Sequence, residues 1–87
     1  MSLEFPNSSR SYDATRCAVR FWGYDTAMEW SFFVTEDALR QVDPAVAGDE
    51  AAMLGAFDSH RDRICAAASR AYARGRKGSY ELGAADL

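Results

Sequence analysis

The sequence predicts an α+β fold: an antiparallel β-meander of three to four strands packed on a long C-terminal helix, with one short helix between. Three observations carry that expectation. Cys17–Tyr24 and Ala27–Val34 are two runs of strand composition separated by two residues, the pattern of a β-hairpin. From Asp49 to Arg74, apolar residues recur at alternating spacings of four and three, which draws one stripe along a helix. Between these stretches, Thr35-Glu36-Asp37 reads as a helix start. A hydroxyl there caps free backbone N–H groups, and the acids suit the positive end of the helix dipole.

In chain order, Pro6 to Ser9 is a loop, Arg10–Asp13 a short polar strand, and Asp13-Ala14-Thr15-Arg16 a turn. The hairpin follows. If it closes about Asp25-Thr26, Phe21 opposes Trp30 and Val19 opposes Phe32. One face then collects Cys17, Val19, Phe21 and Gly23 with Met28, Trp30, Phe32 and Val34, all apolar or small. The other collects Ala18, Arg20, Trp22 and Tyr24 with Ala27, Glu29, Ser31 and Phe33. A slip of one residue would mix the two sets, so burial constrains the register. The short helix runs from Glu36 to about Val42, and Asp43-Pro44 ends it. The long helix carries Met53, Phe57, His60, Ile64, Ala67 or Ala68, and Ala71 on its stripe, with Gly75 as its stop. Unbroken, it would run about 39 Å, whereas a domain of this length measures about 31 Å across. It is expected to bend near Gly55 or to project past the sheet. Ser79-Tyr80-Glu81-Leu82 reads as a last strand.

Eighty-seven residues make one domain, 1–87. Apolar residues are 48% and charged residues 26% of the chain, ordinary globular usage. So short a chain buries only about 60–65% of its unfolded surface, which makes a second subunit a natural extension of the core. Cys17 and Cys65 form no CxxC and read as reduced structural thiols, Cys17 buried on the inner sheet face and Cys65 at the flank of the helix stripe. The opening residues hold no basic and apolar export signal, and no run approaches the roughly 20 apolar residues of a membrane span. A cytoplasmic protein is expected. Net charge is −3, with ten acids against four arginines in residues 1–58 and three acids against six bases in residues 59–87. That balance argues against a dedicated nucleic-acid binder, whose affinity rests on many bases.

Several phrases carry a family likeness. Phe5-Pro6-Asn7, Ser9-Arg10-Ser11-Tyr12-Asp13, Val19-Arg20-Phe21-Trp22-Gly23 and Ser31-Phe32-Phe33-Val34, with Tyr72-Ala73-Arg74-Gly75 and Gly78-Ser79-Tyr80, resemble the bacterial domain-of-unknown-function 1488 (DUF1488) family. The likeness covers nearly the whole chain and implies a small bacterial α+β domain. It implies no activity, cofactor or catalytic residue.

The chemistry-bearing residues are sparse. His60 is the single histidine and falls at the edge of the helix stripe, where packing explains it. His60 and Cys65 lie about 140° apart around a helix, so they converge on no metal, and no cofactor site is read. Gly75-Arg76-Lys77-Gly78 follows a helix instead of preceding one. Its bases complement the negative helix end and do not form a phosphate loop. The second sheet face stands out: Trp22, Tyr24 and Phe33 lie among Arg20, Glu29 and Ser31, a mixture suited to interface cores. It calls for cover, from the short helix or from Leu3 and Phe5, or for a partner. Arg20, Trp22, Tyr24, Glu29 and Phe33 are therefore the candidate interaction surface, and Arg63, Arg70 and Arg74 a candidate basic contact. The expected role is a non-catalytic accessory or adaptor protein working through protein contacts, as a homodimer. Weak single-stranded nucleic-acid binding through the aromatic face and the arginine stripe is the alternative, and a small enzyme the second.

Overall fold

The computed structural model describes residues 3–6, 8–75 and 79–87. The loop bases Arg76 and Lys77, and Gly78, lie outside the described residues. In order the elements are β1 (Arg10–Asp13), β2 (Ala18–Asp25), β3 (Met28–Thr35), α1 (Glu36–Val42), α2 (Glu50–Ser59), α3 (Arg61–Ala73) and β4 (Ser79–Leu82), followed by a 3-10 turn at Ala84–Asp86. The strands form one sheet in the order β1-β2-β3-β4.

The sheet is mixed, which corrects the expected meander. β1, β2 and β3 pair antiparallel, but β4 runs parallel to β3. Three helices intervene between β3 and β4, and a connection of that length carries the chain back to the end where β3 begins. Thr35 ties the two strand ends together. Its hydroxyl accepts from the Ala38 N–H at 3.2 Å, capping α1, and donates to the Leu82 carbonyl at 3.2 Å.

The hairpin register also differs from expectation. Phe21 opposes Phe32 and Val19 opposes Val34, with Asp25 opposite Met28. The turn is therefore Thr26-Ala27, with Thr26 at φ 56°, a conformation that glycine adopts far more readily. Packing outweighs that local cost: Phe21 and Phe32 stack at 5.5 Å between centroids. The displacement is an even number of residues, so each side chain keeps the face assigned to it.

All buried helix residues join one cluster with the inner strand residues. Val19, Phe21, Phe32, Val34, Tyr80 and Leu82 meet Ala38 and Leu39 of α1, Met53, Ala56 and Phe57 of α2, and Ile64, Ala67, Ala68 and Tyr72 of α3. Phe57 sits centrally, 5.0 Å from the Phe21 ring. Cys17 is not among them. It is exposed in the turn before β2 at φ 50°, because its carbonyl accepts from the Glu36 N–H at 3.0 Å and so serves the junction with α1.

The long helix breaks at His60, not at Gly55. A single non-helical residue, φ −118° and ψ 24°, ends α2 and starts α3. Its N–H is shared between the carbonyls of Ala56 and Phe57 at 3.1 and 3.3 Å, and its carbonyl accepts from Ile64 at 3.0 Å, so the break leaves little backbone unpaired. Asp58 and Ser59, poor helix formers, precede it. The break lets α2 lie against β1 and β2 while α3 turns onto β4. A straight helix of about 39 Å would exceed even the longest dimension of the molecule, 35 Å.

The N-terminal segment adds a further bridge. Glu4 and Tyr24 exchange two backbone hydrogen bonds of 2.8 Å, beside β1 on the same edge of β2. This places Leu3 and Phe5 on the inner face, over Gly23, and not on the second face they were expected to cover. The absence of a Cβ makes the fit possible. One built at Gly23 would lie 2.8 Å from Phe5 and 3.2 Å from Leu3.

Candidate protein-interaction face

With the helices in one layer, the opposite sheet face has no helical layer over it among the described residues. Its rows run Ala18 beside Thr35, Arg20 beside Phe33, Trp22 beside Ser31, and Tyr24 beside Glu29. All five candidate interaction residues thus share one surface, a consequence of strand alternation. Ala18 and Phe33 are the buried apolar residues that stand outside the core cluster. Trp22 and Tyr24 are half-buried, while Arg20 and Glu29 are exposed.

Guanidinium groups shield this face. Arg16 lies 4.1 Å over the Phe33 ring, and Arg20 lies 5.6 Å from Phe33 and 5.2 Å from Trp22. Arg20 also donates to the Ser31 hydroxyl at 2.9 Å. Arginine over an aromatic ring gains cation–π attraction while its stem covers apolar surface. At the other end of the face the Tyr24 hydroxyl donates to the Glu29 carboxylate at 2.5 Å. Among the described residues no carboxylate pairs with Arg20. The Arg20–Phe33 row continues to Glu81 of β4, and Arg16 lies 3.9 Å from Asp13, so the Phe33 end carries both charges, while Glu29 stands at the Tyr24 end.

Arg16 was missed in the sequence reading, which gave it only a turn position. Its place over Phe33 depends on the β1–β2 turn folding back across the sheet. No local spacing in the sequence signals that.

Of the candidate basic contact, Arg70 and Arg74 are engaged with one residue, Asp86. Arg63 is exposed on α3. Arg70 donates to the Asp86 carbonyl at 3.2 Å and Arg74 to its carboxylate at 3.0 Å. These two hold the C-terminal turn against α3. The turn is further closed by the Gly83 N–H donating to Asp86 at 2.8 Å.

Elsewhere, the Trp30 indole N–H is buried without a hydrogen-bond partner among the described residues, whereas other polar groups are paired. Arg10 of β1 grips Asp58 of α2 through two hydrogen bonds of 2.9 and 2.8 Å. The guanidinium's hydrogen bonds hold the Asp58 carboxyl below the ordinary carboxylate range. His60 is half-buried at the helix break. Burial pushes the Cys65 thiol up. Among the described residues, no three His, Cys, Asp or Glu side chains converge as metal ligands, and no helix is long and apolar enough to cross a membrane.

Residues 3–82 match a family described as "Protein of unknown function (DUF1488)". A crystal structure of a protein of unknown function from the DUF1488 family of Shewanella loihica PV-4 is similar in fold. It aligns with a TM-score of 0.81 at 15% identity, covering 93% of this chain and 91% of that one. No curated protein matches the chain.

Proposed function

As the chain belongs to the DUF1488 family, whose description carries no activity, we propose from its own residues that it is a non-catalytic adaptor acting through protein contacts on the open sheet face. One observation carries the reading. All three helices bury their apolar sides on the inner face, while the outer face concentrates Trp22, Tyr24 and Phe33 with Arg16 and Arg20. Aromatic residues and arginine are the types enriched where protein interfaces form. A stacking platform for single-stranded nucleic acid fits less well. Glu29 stands on the same face, bonded to Tyr24, and Arg70 and Arg74 of the basic stripe are engaged with Asp86.

The test is a photo-cross-linking residue placed at Ser31, in the middle row of the face, and a second at Arg63 on α3. In cells, Ser31 is expected to capture a discrete protein, identified by mass spectrometry, and Trp22→Ala to abolish the capture. Capture from Arg63 alone would move the contact to the helical layer and overturn the reading.

A further inference from the structure

We infer that the free edge of β4 is a strand-addition site, and that its ligand is an extended peptide segment with apolar and polar residues in alternation. The site lies at the margin of the sheet and goes beyond the outer-face contact proposed above. β4 (Ser79–Leu82) closes one end of the sheet and pairs with β3 on one side only. Successive residues of a strand direct their N–H and C=O groups to opposite sides, so an edge strand keeps half of them unpaired. Beyond the β3–β4 ladder, no backbone–backbone hydrogen bond among the described residues uses residues 79–82.

A cleft of about 490 Å³ follows this edge. Its lining fixes its position. Ser79, Tyr80 and Glu81 are consecutive residues of the strand, and all three border the cleft. Tyr80 is buried toward the helices, whereas Ser79 and Glu81 are exposed on the outer face, level with Ser31 and Phe33. Ala71, Arg74 and Gly75 at the end of α3 form one wall, and Arg16, which lies over Phe33, forms the other. A cavity that touches both layers and three consecutive strand residues wraps the backbone edge. A fifth strand would lie there, about 4.8 Å from β4. The Tyr80 hydroxyl donates to the Gly75 carbonyl at 2.9 Å, which holds the α3 wall beside the strand.

The walls set the chemistry of the ligand. An added strand turns alternate side chains to opposite faces. Those on the helical side meet the Tyr80 ring and Ala71, whose single methyl leaves room for an apolar side chain. Those on the outer side meet Arg16, Ser79 and Glu81, a surface of both charges that suits uncharged polar residues. Backbone pairing supplies the affinity, and the pockets for alternate side chains supply the selectivity. The edge is four residues long, so a segment of about four or five residues fills it. A second copy of this chain fits less well. Pairing β4 with β4 would bring a second α3 end and a second Arg16 into the space that the first pair already borders.

The experiment is a titration of the full chain with the capped heptapeptide Lys-Val-Thr-Val-Ser-Val-Lys, followed by amide resonances and hydrogen exchange. At about 1 millimolar peptide, the outward amides of β4 are expected to exchange at least about fivefold slower, while those of Arg10–Asp13 at the opposite edge keep their rate. A peptide with proline in place of the central valine is expected to lose the effect, because proline has no N–H to donate. Ala71→Trp, which fills the helical wall, is expected to weaken binding at least about tenfold with circular dichroism unchanged. Should Ala71→Trp fail to fold, the proline peptide decides the matter. No change up to about 5 millimolar peptide would overturn the inference. So would an equal effect from the proline peptide, unchanged binding by a folded Ala71→Trp, or protection confined to Arg10–Asp13. Protection of the same amides by raised protein concentration without peptide would assign the edge to a second copy and overturn it as well.

Discussion

The hydroxyl of Tyr72 donates to the carboxylate of Asp25 at 2.5 Å, joining residues 47 apart in sequence. Tyr72 is in the last turns of α3 and Asp25 ends β2, and both are buried. The bond fastens the helical layer to the turn end of the hairpin, where Tyr72 also packs on Trp30 and Tyr80 at 5.8 and 5.9 Å. Tyr72→Phe keeps the ring and removes the donor to a buried carboxylate. A loss of about 1.5–3 kcal/mol is expected in urea denaturation, and a change below about 0.5 kcal/mol would show that the bond adds no net stability.

Phe57 is fully buried, its ring 5.0 Å from that of Phe21. Phe57→Ala is expected to cost about 3–5 kcal/mol, a large part of the roughly 5–15 kcal/mol available to a domain. The same urea titration measures it. A cost near 1 kcal/mol would mean that the core collapses into the space or is packed loosely there.

Gly23 admits the N-terminal segment to the inner face. A methyl group at this position would meet Phe5 at 2.8 Å and Phe32 at 3.0 Å. Gly23→Ala is expected to cost about 1–3 kcal/mol and to speed hydrogen exchange at the Glu4 and Tyr24 amides. In a chain lacking residues 1–5 the same substitution is expected to cost less, since the obstructed side chain is gone. Equal costs in both backgrounds would place the strain at Phe32.

The Arg10–Asp58 pair sets a pH dependence with a definite sign. Hydrogen bonding to Arg10 lowers the Asp58 carboxyl from its ordinary value of 3.8. The stabilisation is therefore complete above the ordinary carboxylate range and lost as pH falls through the lowered value. The stability gap between wild type and Asp58→Asn is expected to hold steady from neutral pH down to about 5 and to narrow below 4. A gap that widened in acid would reverse the assignment.

The thiols are expected to react in two phases. Cys17 is exposed, whereas Cys65 is half-buried and burial raises its thiol. Thiol reagent at pH 8 modifies Cys17 quickly and Cys65 slowly, because the thiolate is the reacting form. Cys65→Ser is expected to remove the slow phase. Loss of the fast phase would place Cys65 at the surface.

Local patterns determined the elements of this protein. Alternation in Val19-Arg20-Phe21-Trp22 and in Trp30-Ser31-Phe32-Phe33 fixed which side chains share a face, because the strand period is two and any even shift preserves the partition. That is why all five residues of the candidate face could be named before the register was known. Thr35 and its acids likewise gave the start of α1. Tertiary structure decided what depends on contacts distant in sequence. The hairpin moved by two residues to stack Phe21 on Phe32, at the expense of a left-handed threonine. The helix broke at His60 so that its halves could cover different strands, and β4 joined β3 in parallel because the helices between them returned the chain to the same end. Leu3 and Phe5 went to the inner face because Gly23 offered space there, which left the outer face to Arg16 and Arg20. Periodicity reports only the half of an element that is apolar. Which neighbour buries that half is settled by the packing of all elements at once.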